Sequence, residues 1–167
     1  MMRGRPLSSD VFSIDSSLWN EDTDRRQVMI LSPALEKYLL AIFNVTRRKR
    51  VARVKDVAAL LRVSSASVSP AMHRLDQLGL VHYGRREYIE LSPSGTRLAE
   101  LLLCHQEIVA EFFERSLRLS RAEAKQASAS VFHFFSDDLL GRIREYLAGD
   151  LRSTESITDP RNYRNNG

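Results

Sequence analysis

VARVKDVAALLRVSSASVSPAMHRLDQLGLVHYGRREYIEL, residues 51–91, is the stretch whose reading decides the fold. Val57, Leu60 and Leu61 recur at helical spacing, which predicts a short helix over residues 56–61. Ser64 to Ser67 supply a turn and an N-cap. Val68, Met72, Leu75 and Leu78 then space a second helix, and Gly79 stands where such a helix ends in left-handed backbone. Apolar and polar residues alternate from Leu80 to Tyr83 and from Tyr88 to Leu91, the two-residue period of half-buried strands. Gly84, Arg85 and Arg86 make the turn between them. Helix, turn, helix, hairpin is the order of a winged helix-turn-helix, a module whose second helix ordinarily lies in the major groove of DNA.

Upstream, Ser32-Pro33 reads as an N-cap followed by proline at the first helical position. Leu35, Tyr38, Leu39, Ile42 and Phe43 share one face of the helix that follows, which runs out near Arg47–Arg50. Val51, Arg53 and Val54 suggest a brief strand. Residues 1–30, rich in Ser, Asp and Arg, read as a flexible arm. Downstream, Ser92-Pro93-Ser94 opens a long helix carrying Leu98, Leu101, Leu102, His105, Ile108, Val109, Phe112 and Phe113. Ser120 caps the next, with Ala124, Ala127, Val131 and Phe134 on its stripe. Ser136-Asp137-Asp138 caps the last, with Leu140, Ile143 and Leu147 inward. Residues 151–167 read as a disordered polar tail. The expected organisation is mainly α: a winged helix-turn-helix over 31–91, built of three helices and a β-hairpin wing, then an all-helical dimerisation domain over 92–150.

The charge is unevenly spread. Residues 31–91 hold 11 Lys/Arg against 5 Asp/Glu, whereas residues 92–150 hold 7 against 9. A phosphate backbone rewards positive charge concentrated in this way through counterion release. A helical piece as apolar as 92–150 closes more readily against a second copy than alone, so a homodimer is expected. No apolar run approaches membrane-spanning length, no secretory signal is evident, and the one cysteine, Cys104, fits a reducing cytoplasm.

Ser65, Ser67, Ser69, His73 and Arg74 lie on or near the exposed side of the second helix and are the candidate readers of double-stranded DNA. The serines read equally as capping residues. Arg85 and Arg86 at the wing tip are candidates for phosphate or minor-groove contact. Arg47 and Arg50, in the basic run Arg47-Arg48-Lys49-Arg50, suit either a helix C-terminus or the DNA backbone. Pro70 fixes an expectation about register. A helix starting near Ser67 holds it harmlessly in the first turn, whereas a start at Ser64 places it past the orphan donors, so the later start is expected.

Residues 32–148 resemble the diphtheria toxin repressor family, bacterial metal-dependent transcription regulators that include the manganese transport regulators. LEKYLLAIF, ARVKDVAALLRVSSASVSPAMHRLDQLGLV, YIELSPSGTRLA, LLCHQEIVAEFF and FHFFSDDLLGRI carry the resemblance. No barrel-like third domain follows, as in the short, manganese-type branch. The resemblance implies a site for divalent Mn or Fe between the first helix and the later ones. Lys37 and Leu40 stand at the family's first-helix ligand positions, and Ala129, Phe132 and His133 at those of the later helix. His105 stands where the family has a metal-binding His. His105 and His133 are thus the two ligand-type residues retained, and Mn²⁺ and Fe²⁺ favour several oxygen ligands that the pair lacks. Glu107, Glu111 or Cys104 would have to complete a shifted site, for which Zn is the natural guest. Both histidines also read as hydrogen-bonded core or interface imidazoles.

The expected function is a dimeric, sequence-specific DNA-binding transcription regulator with a degraded family metal site. A metal-independent regulator and a winged-helix protein-interaction module without DNA binding are the alternatives. An enzyme is not expected: the chain has no Gly-rich phosphate loop and no nucleophile with a base. Cys104 and His105, adjacent on a helix, point about 100° apart.

Overall fold

The computed structural model describes residues 31–49, 51–84 and 88–157. The readings placed on the arm at 1–30, on Arg50, on Arg85 and Arg86, and on residues 158–167 of the tail lie outside the described residues. Six α-helices and three short strands are present among the described residues: α1 Pro33–Thr46, β1 Ala52–Arg53, α2 Val54–Leu61, α3 Ser65–Gln77, β2 Val81–Tyr83, β3 Tyr88–Leu91, α4 Pro93–Leu117, α5 Arg121–Val131 and α6 Asp137–Ile157, with a 3-10 turn at Phe132–Phe134 between the last two. The last helix runs on through residues read from sequence as tail.

The chain packs as two units that divide within α4, between Cys104 and His105. In the first unit, Ser32 caps α1, its Oγ accepting from Leu35 N–H at 3.4 Å, with Pro33 at the first position. Helix α2 opens earlier than its apolar period alone indicates, because the Asp56 carboxylate reaches back to Arg53 N–H at 3.2 Å and closes the turn. The strands form an antiparallel sheet in the order β1-β3-β2, with Ala52 opposite Ile89 and Val81 opposite Leu91. Leu39, Ile42, Val57, Val68, Met72, Leu75, Leu80, Ile89 and Leu98 are fully buried and make the core.

Helix α3 ends as its sequence indicates. Gly79 adopts φ +70°, Leu80 N–H reaches back to Leu75 O and Gly79 N–H to Asp76 O. Its start differs from expectation. Ser64, not Ser67, is the N-cap: its backbone is extended, its Oγ accepts from Ser67 N–H at 3.2 Å, and the two hydroxyls share a hydrogen bond at 2.8 Å. Ser67 is thereby drawn into the first turn as the third helical residue, and Pro70 falls in the helix interior. Lacking an N–H, Pro70 withholds the bond that Ala66 O would accept, at a cost of about 3 kcal/mol against an ordinary interior residue.

The junction after the wing is tightly built. Ser92 N–H donates to Leu80 O at 3.1 Å, and Ser92 Oγ donates to Gly79 O at 2.7 Å while accepting from Gly95 N–H at 2.9 Å. The first turn of α4 is thus bound to the turn that ends α3. Gly95 lies so close that a Cβ there would sit 1.8 Å from Leu80 O.

In the second unit, Ser120 and Glu123 form a reciprocal capping box on α5. Ala124 is buried as the spacing predicts, whereas Ser128 and Phe132 are buried in place of Ala127 and Val131, which are half-buried. Phe134 leaves the stripe because α5 ends at Val131 and the following turn tightens to 3-10 geometry; it is 76% exposed. Leu140, Ile143 and Leu147 of α6 are buried as the spacing predicts. Leu117, Leu139 and Tyr146 are exposed.

Candidate nucleic-acid interface and metal positions

Burial of Val68, Met72 and Leu75 fixes which side of α3 faces inward. Ser65, Ser67, His73 and Arg74 are exposed and Ser69 is half-buried, so these five expected residues share one accessible helix. Four of them make side-chain contacts within the unit, that of Ser67 being with Ser64. Ser69 Oγ donates to Ser65 O at 3.4 Å. The His73 ring meets Tyr83 of β2 edge-on at 5.0 Å. Arg74 Nη1 donates to Gln77 Oε1 at 3.3 Å. Tyr38 of α1 donates its hydroxyl to Ser67 O at 3.2 Å and ties the start of α3 to the first helix.

Arg47 is exposed at the C-cap of α1, with its guanidinium 5.9 Å from the centre of the Phe43 ring. Arg53, which the sequence reading did not place among the DNA contacts, and Lys49 of the basic run join it. Arg53 stacks on Tyr88, 4.9 Å from the ring centre, and donates to the Tyr88 hydroxyl at 3.0 Å. Their partnership depends on the β1–β3 register, which pairs residues 35 positions apart, and no local pattern announces it. Lys49 pairs with Asp56 at 2.8 Å, which holds the Asp56 carboxyl below its usual range.

Glu36 is a further unexpected residue. It lies in the first turn of α1, only 5% exposed, and its Oε2 has no hydrogen-bond partner. Burial pushes its carboxyl up to about 7.

Lys37 is exposed and cationic, and Leu40 is buried and apolar. In the second unit Ala129 is half-buried and Phe132 buried. The His133 ring is flanked by Phe132 and Phe134, at 5.5 and 4.3 Å between ring centres. His105 is held below its ordinary value by burial, with Asp137 partly opposing. Glu107 and Glu111, which a shifted site would need, serve cations instead. Glu107 pairs with Arg121 and, at 2.9 Å, with Lys125. Glu114 pairs with Arg121 at 3.0 Å, and Glu111 with Arg115 at 2.9 Å. Cys104 is buried. Among the described residues no three His, Cys, Asp or Glu side chains are grouped to hold a metal ion. The residues present do not fit a Mn²⁺ or Fe²⁺ site, which asks for several oxygen ligands at once.

Comparison with known proteins adds to this geometry. Residues 30–88 match the model of the iron dependent repressor, N-terminal DNA binding domain. The HTH-type transcriptional regulator MntR of Geobacillus kaustophilus is 26% identical over 131 residues, covering 77% of this chain and 92% of that protein. Among solved structures, the manganese regulator SloR superposes with a TM-score of 0.61 at 24% identity, over 71% of this chain and 55% of that one. The IdeR of T. acidophilum gives 0.60 at 24%, over 68% and 53%. The chain therefore spans about half the length of those two structures and nearly all of the Geobacillus protein.

Proposed function

Because the chain belongs to the diphtheria toxin repressor family of iron- and manganese-dependent regulators, we propose that it binds operator DNA through α3 as a homodimer. It is a DNA-binding transcription regulator and not an enzyme. The observation that carries the reading is the frame around α3. Val68, Met72 and Leu75 anchor the helix in the core while Ser69, His73 and Arg74 remain on its accessible side. The proposed roles are as follows. Ser65, Ser67, Ser69, His73 and Arg74 meet the major groove. Arg47 and Arg53 meet phosphates, together with Arg50, Arg85 and Arg86 beyond the described residues. The second unit pairs with its copy, for which exposed Leu117, Phe134, Leu139 and Tyr146 give support. No helix among the described residues is long and apolar enough to cross a membrane; the proposed location, with a DNA target, is the cytoplasm.

Fluorescence anisotropy with operator-length duplexes tests this at several salt concentrations. Affinity is expected to fall steeply with salt. Arg74→Ala is expected to weaken binding by about 1–3 kcal/mol and, if the side chain reads a base, to relax preference at one position. Salt-independent or absent DNA binding would favour the protein-interaction alternative.

The metal reading parts from the relatives. With a lysine, a leucine, an alanine and a phenylalanine at four ligand positions, and Glu107, Glu111 and Glu114 committed to arginine and lysine, DNA binding by this chain is independent of divalent metal. Chelator-treated protein is expected to keep its DNA affinity within about two-fold, a change of at most ~0.4 kcal/mol. Micromolar calorimetric binding of Mn²⁺, Fe²⁺ or Zn²⁺, lost in both His105→Ala and His133→Ala, would reverse that conclusion and restore the two histidines as ligands.

A further inference from the structure

At 3.6 residues per turn, Ala66, Pro70, His73 and Gln77 fall within about 50° of the direction opposite the buried Val68, Met72 and Leu75. Pro70 is exposed on this crest, inside the helix and six residues past the N-cap Ser64. The polar side chains stand to either side of it, each with one local contact: Ser69 to Ser65 O, Ser67 to Ser64, His73 against Tyr83 and Arg74 to Gln77. The centre of the crest is therefore apolar, formed by the pyrrolidine ring with the Ala66 methyl one turn before it. A proline inside a helix is a local violation that a fold retains where function asks for it.

Resting on the DNA-binding reading above, we propose that Pro70 is a specificity-determining residue that reads the 5-methyl group of a thymine in the major groove. The ring has no donor and no acceptor, so it cannot read the hydrogen-bonding edge of guanine, cytosine or adenine. Thymine alone among the four bases presents an apolar group there, and apolar side chains contact it. The base opposite the centre of α3 is thus chosen by shape and desolvation. Hydrogen-bond readout is left to the flanking residues.

The test uses the full chain. Duplexes with a random core are enriched for binding, and each thymine of the selected duplex is then replaced singly by deoxyuridine, which removes the methyl and nothing else. One thymine in each half-site is expected to lose about 4-fold in affinity on replacement, the worth of one buried methyl group. Pro70→Ala, a change that favours the helix, is expected to bind the thymine and deoxyuridine duplexes equally. Pro70→Gln, selected afresh, is expected to exchange that thymine for adenine, which glutamine reads at N6 and N7. Tolerance of deoxyuridine at every position overturns the proposal, as does a methyl effect that survives in Pro70→Ala. Failure to enrich any sequence overturns the DNA-binding reading, and this proposal with it.

Discussion

Gly95→Ala is expected to abolish the folded winged-helix unit, or to leave it weaker by about 3 kcal/mol or more, beyond the ordinary cost of overpacking. The added Cβ would lie 1.8 Å from Leu80 O and 2.8 Å from Leu80 C. Those are backbone atoms, so no rotamer change relieves the overlap. Leu80 cannot retreat, because its N–H is bound to Leu75 O and its carbonyl accepts from Ser92 N–H. Nor can the first turn of α4 retreat without breaking Ser92 Oγ from Gly79 O. Urea unfolding of the full chain, followed by far-UV circular dichroism, reads the effect. A midpoint unchanged from the parent would mean that α4 meets the Leu80 backbone less closely than described.

Glu36→Gln is expected to do the reverse, stabilising the protein at pH 8 by about 1–3 kcal/mol. The Glu36 carboxyl titrates at about 7 in the folded chain, against 4.5 for the same group in water. Between these values the folded state holds a proton that the unfolded state has lost, so stability falls as pH rises from 4.5 to 7. Below 4.5 both states are protonated and the penalty is absent; above 7 it is complete. Glutamine removes the ionisation but retains a buried polar group in need of a partner, and the gain stops short of the full titration energy. Chemical denaturation of parent and variant at pH 5 and pH 8 decides the matter. The two should differ little at the lower pH and clearly at the higher. An equal difference at both would assign the effect to packing.

Where a signal was local, the sequence carried it faithfully. Ser32-Pro33 starts a helix because its cap lies three residues from the donor it satisfies, and Gly79 ends one because the left-handed turn is cheap for glycine. The strand alternation placed β2 and β3, and the order of helices carried the family resemblance. Where two residues of one kind competed, the sequence could not choose. Ser64 and Ser67 are both good caps; Ser64 takes the role, its hydroxyl accepting from Ser67 N–H. Pro70 argued for the wrong one because its local cost was weighed without the core contacts of Val68, Met72 and Leu75 that offset it. Glu36 shows the opposite gap: a carboxylate in the first turn of a helix looks solvated, and only tertiary packing buries it. For the metal positions, side-chain identity alone spoke against Mn²⁺ and Fe²⁺. What it left undecided was the employment of Glu107 and Glu111, which depends on how α5 folds back along α4 to bring Arg121 and Lys125 to Glu107, and on the one-turn step within α4 that joins Arg115 to Glu111.

The sheet order bears on how the protein behaves in a crowded solution. β3, with four residues, is the central strand, and the two outer strands, β1 and β2, have two and three. An outer strand is where a foreign chain adds itself, by pairing with the N–H and C=O groups left unmatched along the border. Borders this short offer too few such groups to seed a growing stack. Arg53, an exposed cation on β1, adds a charge that an incoming strand would have to bury. The sheet can therefore keep its two outer strands without becoming a template for aggregation.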